Sequence, residues 1–123
     1  MNAHERGKQR IKEVVGSNAD DVIKALETIS PDYAKYAIDF GYGDLYARPN
    51  FTDKSRELAA VACLIGQGNT GVPLKTHLRG MLNVGWKKEE VCELLIFLIG
   101  YIGFPSTVEA IGVFKQVLEE INK

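Results

Sequence analysis

Apolar residues recur at helical spacing along almost the whole chain, and this pattern limits the fold more than any other feature. Between residues 58 and 65 the apolar side chains fall at i, i+3, i+4 and i+7, which places them on one face of a helix. Similar stripes run through residues 72–83 and through the segment that begins near Pro105. The sequence therefore predicts an all-α fold, a compact bundle of about six helices.

Residues with strong positional preferences mark the ends of several helices. Ser30 can cap a helix that begins at Pro31, and Thr52 can cap the next one. Gly16 and Gly85 stand where helices are expected to end. The aromatic segment between the two caps is predicted to form one helix from residue 31 to about residue 46.

Two segments depart from a simple amphipathic helix. Within the aromatic helix, Gly41 and Gly43 each cost about 1 kcal/mol relative to alanine, which favours a kink or the close approach of another backbone. The segment 88–102 is apolar on almost every side, so it is expected to be buried all round. In so small a domain, we expect a partner subunit to supply part of that burial.

Length, charge and cysteine content exclude several classes of protein. With 123 residues the chain is expected to form one domain, and a net charge of −1 gives no basic surface for nucleic acid. The first twelve residues are polar, so no signal peptide is expected. The longest apolar stretch, residues 91–102, is too short to span a bilayer. The two cysteines are expected to be free thiols in a cytoplasmic protein.

Residues 66–71 match the G-x-G-x-x-G motif of dinucleotide-binding loops, with Glu89 and Glu90 about 20 residues downstream. This alternative requires a strand before the glycines and a parallel sheet. The preceding segment is instead capped, rich in alanine and long enough for a helix, and no third strand candidate exists. We therefore interpret the motif as a helix end followed by a turn.

His77 and Glu57 are candidates for proton transfer. On a helix, His77 lies at the edge of the apolar stripe, where an imidazole can act as acid, base or hydrogen-bond donor. A purely structural histidine, bonded to a backbone carbonyl, is the alternative. Glu57 lies near the start of the apolar helix that precedes the His77 helix. Its carboxylate can orient His77, or it can simply interact favourably with the positive end of its own helix dipole.

Arg48 is the candidate anchor for a carboxylate, because a guanidinium binds carboxylates in a bidentate fork. Asp44 lies four residues earlier, so a surface ion pair between the two, worth ~0.3–0.5 kcal/mol, explains both without any function.

Other polar residues in apolar surroundings carry weaker signals. Glu93 is a lone charge in the helix 88–102 and is expected to face solvent, and Tyr101 offers a hydroxyl near the end of that helix. Cys63 and Cys92 are expected to be small buried hydrophobes. No His or Cys spacing typical of a metal site is present.

Several blocks of sequence together resemble the carboxymuconolactone decarboxylase family, from about Phe40 to Glu119. The matching blocks are residues 40–49, 53–56, 77–85, 89–95 and 101–105. The resemblance implies an alkyl hydroperoxidase D-like helical fold that assembles as a ring-shaped homo-oligomer, a trimer or a hexamer. It also implies a single domain over residues 1–123, with N-terminal helices in 1–30 and the family core in 31–123.

The family has a decarboxylase branch and a redox branch that carries a Cys-x-x-Cys pair before the family histidine. The equivalent positions, seven and four residues before His77, are Thr70 and Pro73 here, so the dithiol cycle lacks both thiols. The tryptophans of the decarboxylase branch are replaced by Tyr42 and Tyr46, a change that reshapes a pocket.

The resemblance leads to one principal hypothesis and two alternatives. The principal one is a cofactor-free decarboxylase acting on a small carboxylated lactone or related acid in aromatic catabolism. The alternatives are a peroxidase or disulfide reductase of the alkyl hydroperoxidase D type, and a helical assembly without catalysis. For the decarboxylase, the expected catalytic residues are His77, Glu57 and Asp44, and the expected substrate-binding residues are Arg48, Tyr46 and Tyr101.

Overall fold

A computed structural model describes residues 1–122, and every regular element in that range is helical. The α-helices are α1 (Ala3–Val15), α2 (Ala19–Ile29), α3 (Pro31–Tyr36), α4 (Asp53–Gly66), α5 (Val72–Asn83), α6 (Lys88–Ile102) and α7 (Phe104–Ile121). The chain divides into two compact units, residues 1–56 and residues from 57 onward. The predicted all-α class is confirmed.

The helix ends that were predicted from capping residues are present. The Ser30 side chain accepts a hydrogen bond from the Tyr33 backbone N–H at 3.1 Å, and the Thr52 hydroxyl accepts one from the Ser55 N–H at 3.1 Å. Gly16 ends α1 with a φ of 80°, a conformation that side chains other than glycine rarely adopt.

The prediction of one continuous α-helix over residues 31–46 is wrong. The α3 helix ends at Tyr36, and Ala37–Tyr42 form a π-helix. In its last turn the Gly43 N–H donates to the Ile38 carbonyl, five residues back, at 2.8 Å. A short 3₁₀ helix, Leu45–Ala47, follows.

The α1 helix packs on this π-helical segment at backbone distance. A Cβ atom added at Gly43 would lie 2.4 Å from the Ala3 carbonyl oxygen, and one added at Gly7 would lie 2.2 Å from the Ile38 carbonyl oxygen. The predicted close approach is therefore confirmed at Gly43. At Gly41 a Cβ would meet nothing within 4 Å.

The second unit has its own apolar core, to which α4, α5, α6 and α7 all contribute. Its buried members include Val61, Ile65, Leu74, Leu78, Met81, Val91, Leu95, Phe114 and Val117. Four helices that each bury an apolar stripe in this core fix the positions of any polar side chains at its edge.

Within the chain, α6 is buried on one side only. Val91, Leu95 and Leu98 face the core, whereas large apolar side chains on the other side and on α7 remain more than half exposed. We call this second set the apolar face: Ile96, Phe97, Tyr101, Phe104, Val108 and Ile111. The partner subunit that was expected to cover α6 stays a prediction.

The glycine-rich stretch between α4 and α5 forms a helix-terminating turn. The Gly68 N–H donates to the Ile65 carbonyl and the Asn69 N–H donates to the Leu64 carbonyl, at 3.0 Å and 2.9 Å, while Gly68 has a φ of 75°. These two bonds and the left-handed glycine define a Schellman motif. Because the preceding element is the helix α4, the interpretation as a helix end and turn is confirmed.

Candidate active site

Glu57 and His77 are brought together by α4 and α5 in the second unit. Nδ1 of His77 lies 2.8 Å from Oε1 of Glu57, which is hydrogen-bond distance. The Glu57 side chain is fully buried, whereas the His77 side chain keeps an exposed fraction of 18%. Sequence reasoning predicted this pairing as one of two roles for Glu57, and it replaces the backbone carbonyl considered as an alternative partner for His77.

This geometry decides which ring nitrogen is available for chemistry. When Glu57 is ionised its carboxylate only accepts hydrogen bonds, so in that state Nδ1 of His77 carries the hydrogen and donates it to Glu57. The other ring nitrogen, Nε2, then has a free lone pair and can take up a proton or return it. A buried carboxylate that orients an imidazole in this way is a recurrent arrangement in acid–base catalysis.

Gly80 lies against the same carboxylate and was not identified from the sequence as a site residue. It is buried in α5, three residues after His77, and a Cβ atom added there would lie 2.2 Å from Oε1 of Glu57. A signal was nevertheless present, because a glycine inside a helix costs about 1 kcal/mol relative to alanine. Such a residue in the predicted helix 72–83 needs a packing or functional reason.

Arg48, in the first unit, is available to bind an anion. It is exposed and lines a depression of about 190 Å³ together with Asn50 and Arg56. Within residues 1–122, the Arg48 guanidinium has no carboxylate partner, whereas each remaining arginine forms an ion pair with one. Those paired arginines are Arg6, Arg10, Arg56 and Arg79.

Asp44 pairs with a different arginine from the one that the sequence suggested. Its carboxylate lies 3.2 Å from Nη2 of Arg6, and its side chain is half exposed. The proposed i, i+4 pair with Arg48 assumed a regular helix through residue 48, whereas α-helical geometry ends at residue 36. The structure therefore joins Asp44 to α1.

Two half-buried arginines hold the backbone around Arg48 in place. Arg56 donates to the Arg48 carbonyl through Nη2 and to Asp53 through Nη1, and Arg10 donates to the Tyr46 carbonyl at 3.0 Å. Burial alone would lower the pKa of Arg10, but its hydrogen bond to Asp53 and the attraction of that carboxylate raise its pKa above the ordinary value. The guanidinium of Arg10 is therefore permanently charged.

Tyr46 contributes a ring to this cluster. Its ring stacks on that of Tyr42 with 4.7 Å between centroids, and the guanidinium carbon of Arg56 lies 5.9 Å from the Tyr46 centroid. This distance is within the range of a cation–π contact. Sequence reasoning did not assign Arg56 this supporting role, which depends on how the chain folds back after residue 42.

The weaker candidates lie in different surroundings. Glu93 is exposed, as predicted. Tyr101 is 78% exposed and contacts the Phe97 ring at 5.2 Å. Both cysteines are free thiols. The prediction that Cys63 is buried is wrong, because its position on α4 faces away from the core. Cys92 is half-buried and packs against the core of the second unit. Residues 1–122 contain no cluster of three or more His, Cys, Asp or Glu side chains suited to a metal ion.

Comparison of the chain with models of protein families tests the family resemblance that the residue blocks predicted. Residues 31–116 match the model of the carboxymuconolactone decarboxylase family. The chain belongs to this family. The match begins at the first residue of α3 and includes both Glu57 and His77.

The relatives that this chain is similar to carry different names. A 4-carboxymuconolactone decarboxylase from Acinetobacter baylyi is 27% identical over 99% of this chain and 93% of its own length. A nitrosuccinic acid decarboxylase from Metarhizium robertsii is 25% identical over 89% of the chain and 77% of its own length. Peroxisomal protein 2 from Schizosaccharomyces pombe is 30% identical over 70% of the chain but only 40% of its own length.

Helix length and hydropathy show whether a helix could cross a membrane. Among residues 1–122, no helix combines the length and the apolar character needed to cross a membrane.

Proposed function

We propose that this protein is a cofactor-free decarboxylase of small carboxylated lactones or related acids. The observation that carries the proposal is the buried Glu57 carboxylate hydrogen-bonded to the partly exposed ring of His77. The family membership and the two relatives that are named as decarboxylases support this reaction class. Each enzyme name contains a carboxylated compound with an electron-withdrawing group, 4-carboxymuconolactone in one and nitrosuccinic acid in the other.

The reaction needs a place for the electrons that the departing CO₂ leaves behind. When the C–C bond to the carboxylate breaks, its electron pair moves into the substrate, onto a lactone carbonyl or an equivalent acceptor. His77 then supplies the proton that the new carbanion or enolate takes up, and Glu57 stabilises the ring while it is positively charged. The proton is replaced from water, so the cycle closes without a redox partner.

In this proposal, Arg48 anchors a substrate carboxylate, and Tyr46 and Tyr101 contact the substrate. An exposed guanidinium without an acidic partner in the described part of the chain supports the anchoring role. Asp44 is the residue whose catalytic role has the least support, because its carboxylate already pairs with Arg6.

Turnover of 4-carboxymuconolactone, followed by ultraviolet absorbance, tests the proposal. We expect wild-type activity, and a loss of roughly 10²–10⁴-fold in kcat for His77→Ala, which is the usual contribution of a general acid or base. His4→Ala is the matched control, since His4 pairs with Asp39 in the first unit and should leave kcat unchanged. Equal turnover by wild type and His77→Ala would contradict the proposal, as would no turnover of any small carboxylated lactone or nitro acid.

Arg48→Lys and Arg48→Gln test the anchor separately. Loss of the bidentate fork is expected to raise KM in Arg48→Lys, and loss of the charge to raise it further in Arg48→Gln. Lys54→Gln, which removes another cation from the first unit, provides the control. Unchanged KM in both Arg48 variants would remove Arg48 from the site while leaving the His77 result intact.

Peroxide reduction through a thiol pair has less support. Thr70 and Pro73 occupy the positions where a Cys-x-x-Cys pair would precede His77. The exposed Cys63 is the more accessible thiol. Peroxide consumption that disappears in Cys63→Ser would revive this alternative, whereas consumption no faster than that of free cysteine would end it.

We also propose that the protein is a homo-oligomer, a trimer or a hexamer. The apolar face supports this, because its six large side chains are all more than half exposed in the single chain, and exposed apolar side chains concentrated on neighbouring elements commonly mark an interface. The mass in solution, measured by light scattering, tests the proposal. A mass of one chain at all concentrations would contradict it.

A further inference from the structure

Gly80 occupies the position in α5 where the Glu57 carboxylate meets the helix. A Cβ atom at residue 80 would lie 2.2 Å from Oε1 and 3.1 Å from Cδ of Glu57. Both distances are shorter than ordinary van der Waals contact, so any side chain at this position would occupy the space of the carboxylate. Both residues are buried, and the carboxylate is therefore confined by neighbouring side chains.

The atom that Gly80 accommodates is also the atom that binds the histidine. Oε1 of Glu57 accepts the hydrogen bond from Nδ1 of His77 at 2.8 Å, and the same oxygen is the nearest neighbour of the missing Cβ. We propose that Gly80 is a positioning residue, whose lack of a side chain lets the Glu57 carboxylate lie against α5 and orient the His77 ring. Its consequence for catalysis rests on the proposed decarboxylase function, but the positioning itself does not.

Other helical glycines lack this relationship to a polar group. Gly112 in α7 is exposed, and a Cβ there would meet nothing within 4 Å. At Gly7 a Cβ would collide with the backbone of Ile38. At Gly80 the obstacle is instead the end of a rotatable side chain, so Gly80→Ala should fold with the carboxylate displaced and the bond to His77 lost.

Nitrogen NMR of the histidine rings tests the positioning directly. A carboxylate bonded at Nδ1 holds His77 in the tautomer with hydrogen on Nδ1, whereas an unconstrained histidine in water prefers hydrogen on Nε2. We expect wild type and Gly112→Ala to show the Nδ1–H form of His77, and Gly80→Ala to shift towards Nε2–H. His4 serves as an internal reference, since its signals should be the same in all three proteins. Ring shifts of His77 that do not change in Gly80→Ala would overturn the proposal.

A double-mutant cycle tests whether Gly80 acts through Glu57. We expect Gly80→Ala to lower turnover about tenfold or more in the wild-type background, but by less than about twofold in a Glu57→Ala background, where no carboxylate remains to displace. Equal losses in both backgrounds would overturn the proposal. If Gly80→Ala alone fails to fold, the double variant with Glu57→Ala is expected to fold, because no carboxylate remains to collide with the new side chain. A double variant that also fails to fold would overturn the proposal.

The two experiments separate this inference from the proposed function. A wild-type protein without decarboxylase activity would contradict the proposed function, while the NMR comparison would still decide whether Gly80 positions Glu57. Conversely, an active enzyme with unchanged His77 signals in Gly80→Ala would retain the proposed function and remove the role of Gly80.

Discussion

Glycines in this chain lie in different surroundings, so replacing each with alanine has consequences of opposite sign. Gly112 lies in the exposed part of α7 with open space where a Cβ would be. Gly7 is buried in α1, and its Cα faces the carbonyl of Ile38 on the π-helix. A carbonyl oxygen that belongs to a hydrogen-bonded backbone cannot move aside as the end of a side chain can.

Gly7→Ala and Gly112→Ala form a matched pair for stability. We expect Gly7→Ala to lower the free energy of unfolding by about 1–3 kcal/mol, because the added methyl group forces α1 away from its neighbour. Gly112→Ala should raise it by about 0.4–1 kcal/mol, because alanine restricts the unfolded chain and the helix can accept its side chain. Urea unfolding monitored by circular dichroism measures both. An unchanged free energy of unfolding in Gly7→Ala would contradict a backbone contact between α1 and residues 37–42.

The residues of the candidate site differ in how far the sequence alone reveals them. His77 and Glu57 could be predicted, since a histidine at the edge of an apolar stripe and a carboxylate at the start of an apolar helix are both local signals. Gly80 carried only a weak signal. The partner of Asp44 carried none, because Arg6 reaches it across 38 residues of sequence through the packing of α1. Pairings that depend on tertiary contacts are not encoded in local spacing.

At the scale of single elements, the turn between α4 and α5 shows how one motif serves two unrelated structures. The glycines of G-x-G-x-x-G favour the close approach of a phosphate when a strand precedes them. Here a helix precedes them, and Gly68 provides the left-handed residue that closes it. The turn leads directly into α5, on which His77 and Gly80 lie, so its geometry affects the start of that helix.

Gly68→Ala should destabilise the protein without affecting nucleotide binding. A left-handed conformation costs an alanine roughly 1–2 kcal/mol, and we expect a loss of about that size in the free energy of unfolding. Isothermal titration with NAD or ATP should give no heat of specific binding for either wild type or variant. Micromolar binding that Gly68→Ala abolishes would instead support the nucleotide-loop interpretation.

A carboxylate near the C-terminus links α7 to α5. Glu120 pairs with Lys75 and lies 3.3 Å from Nη2 of Arg79, both on α5. The hydrogen bond from Lys75, assisted by the charge of Arg79, holds the pKa of Glu120 below its ordinary value of 4.5. A carboxyl group whose pKa is lower in the folded state stabilises the protein above the unfolded pKa, and that contribution is lost as the pH falls through the folded value.

Glu120→Gln should therefore have a pH-dependent effect. At pH 7 the variant should be less stable than wild type, by the small amount typical of a partly exposed ion pair, and the difference should shrink as the pH falls below 4.5 and through the lower pKa of the folded state. Thermal unfolding at pH 7, 5 and 3.5 measures it. Glu93→Gln provides the control, because Glu93 is exposed and has no ion pair among the described residues. A difference that stays constant from pH 7 to pH 3.5 would contradict this assignment.

The helices themselves were predictable where local signals agree. Caps at Ser30 and Thr52 and terminal glycines such as Gly85 bound segments of clear 3.6-residue periodicity. The π-helix at Ala37–Tyr42 was not predictable, because the wider turn arises where α1 approaches the segment at backbone distance. Propensity describes a helix in isolation, whereas this segment also packs against α1 at backbone distance.

At the scale of the whole molecule, the distribution of apolar surface is more informative than its amount. The core of the second unit is formed by side chains that are almost entirely buried, yet the apolar face on α6 and α7 presents Phe97, Phe104 and Val108 to solvent. Scattered exposed apolar residues are common on any protein surface. A set concentrated on two consecutive helices is typical of a surface that associates.

Phe97→Glu should dissociate the proposed oligomer. Phe97 is 62% exposed and contacts the ring of Tyr101 within the apolar face, so a charge there would have to be desolvated in an interface. We expect wild type to have the mass of several chains by light scattering and a melting temperature that rises with protein concentration. Phe97→Glu should have the mass of one chain and a melting temperature independent of concentration. Gln116→Glu adds the same negative charge at an exposed position on another side of α7 from Val108 and Ile111, and should behave as wild type; if both variants dissociate equally, net charge rather than the apolar face controls assembly.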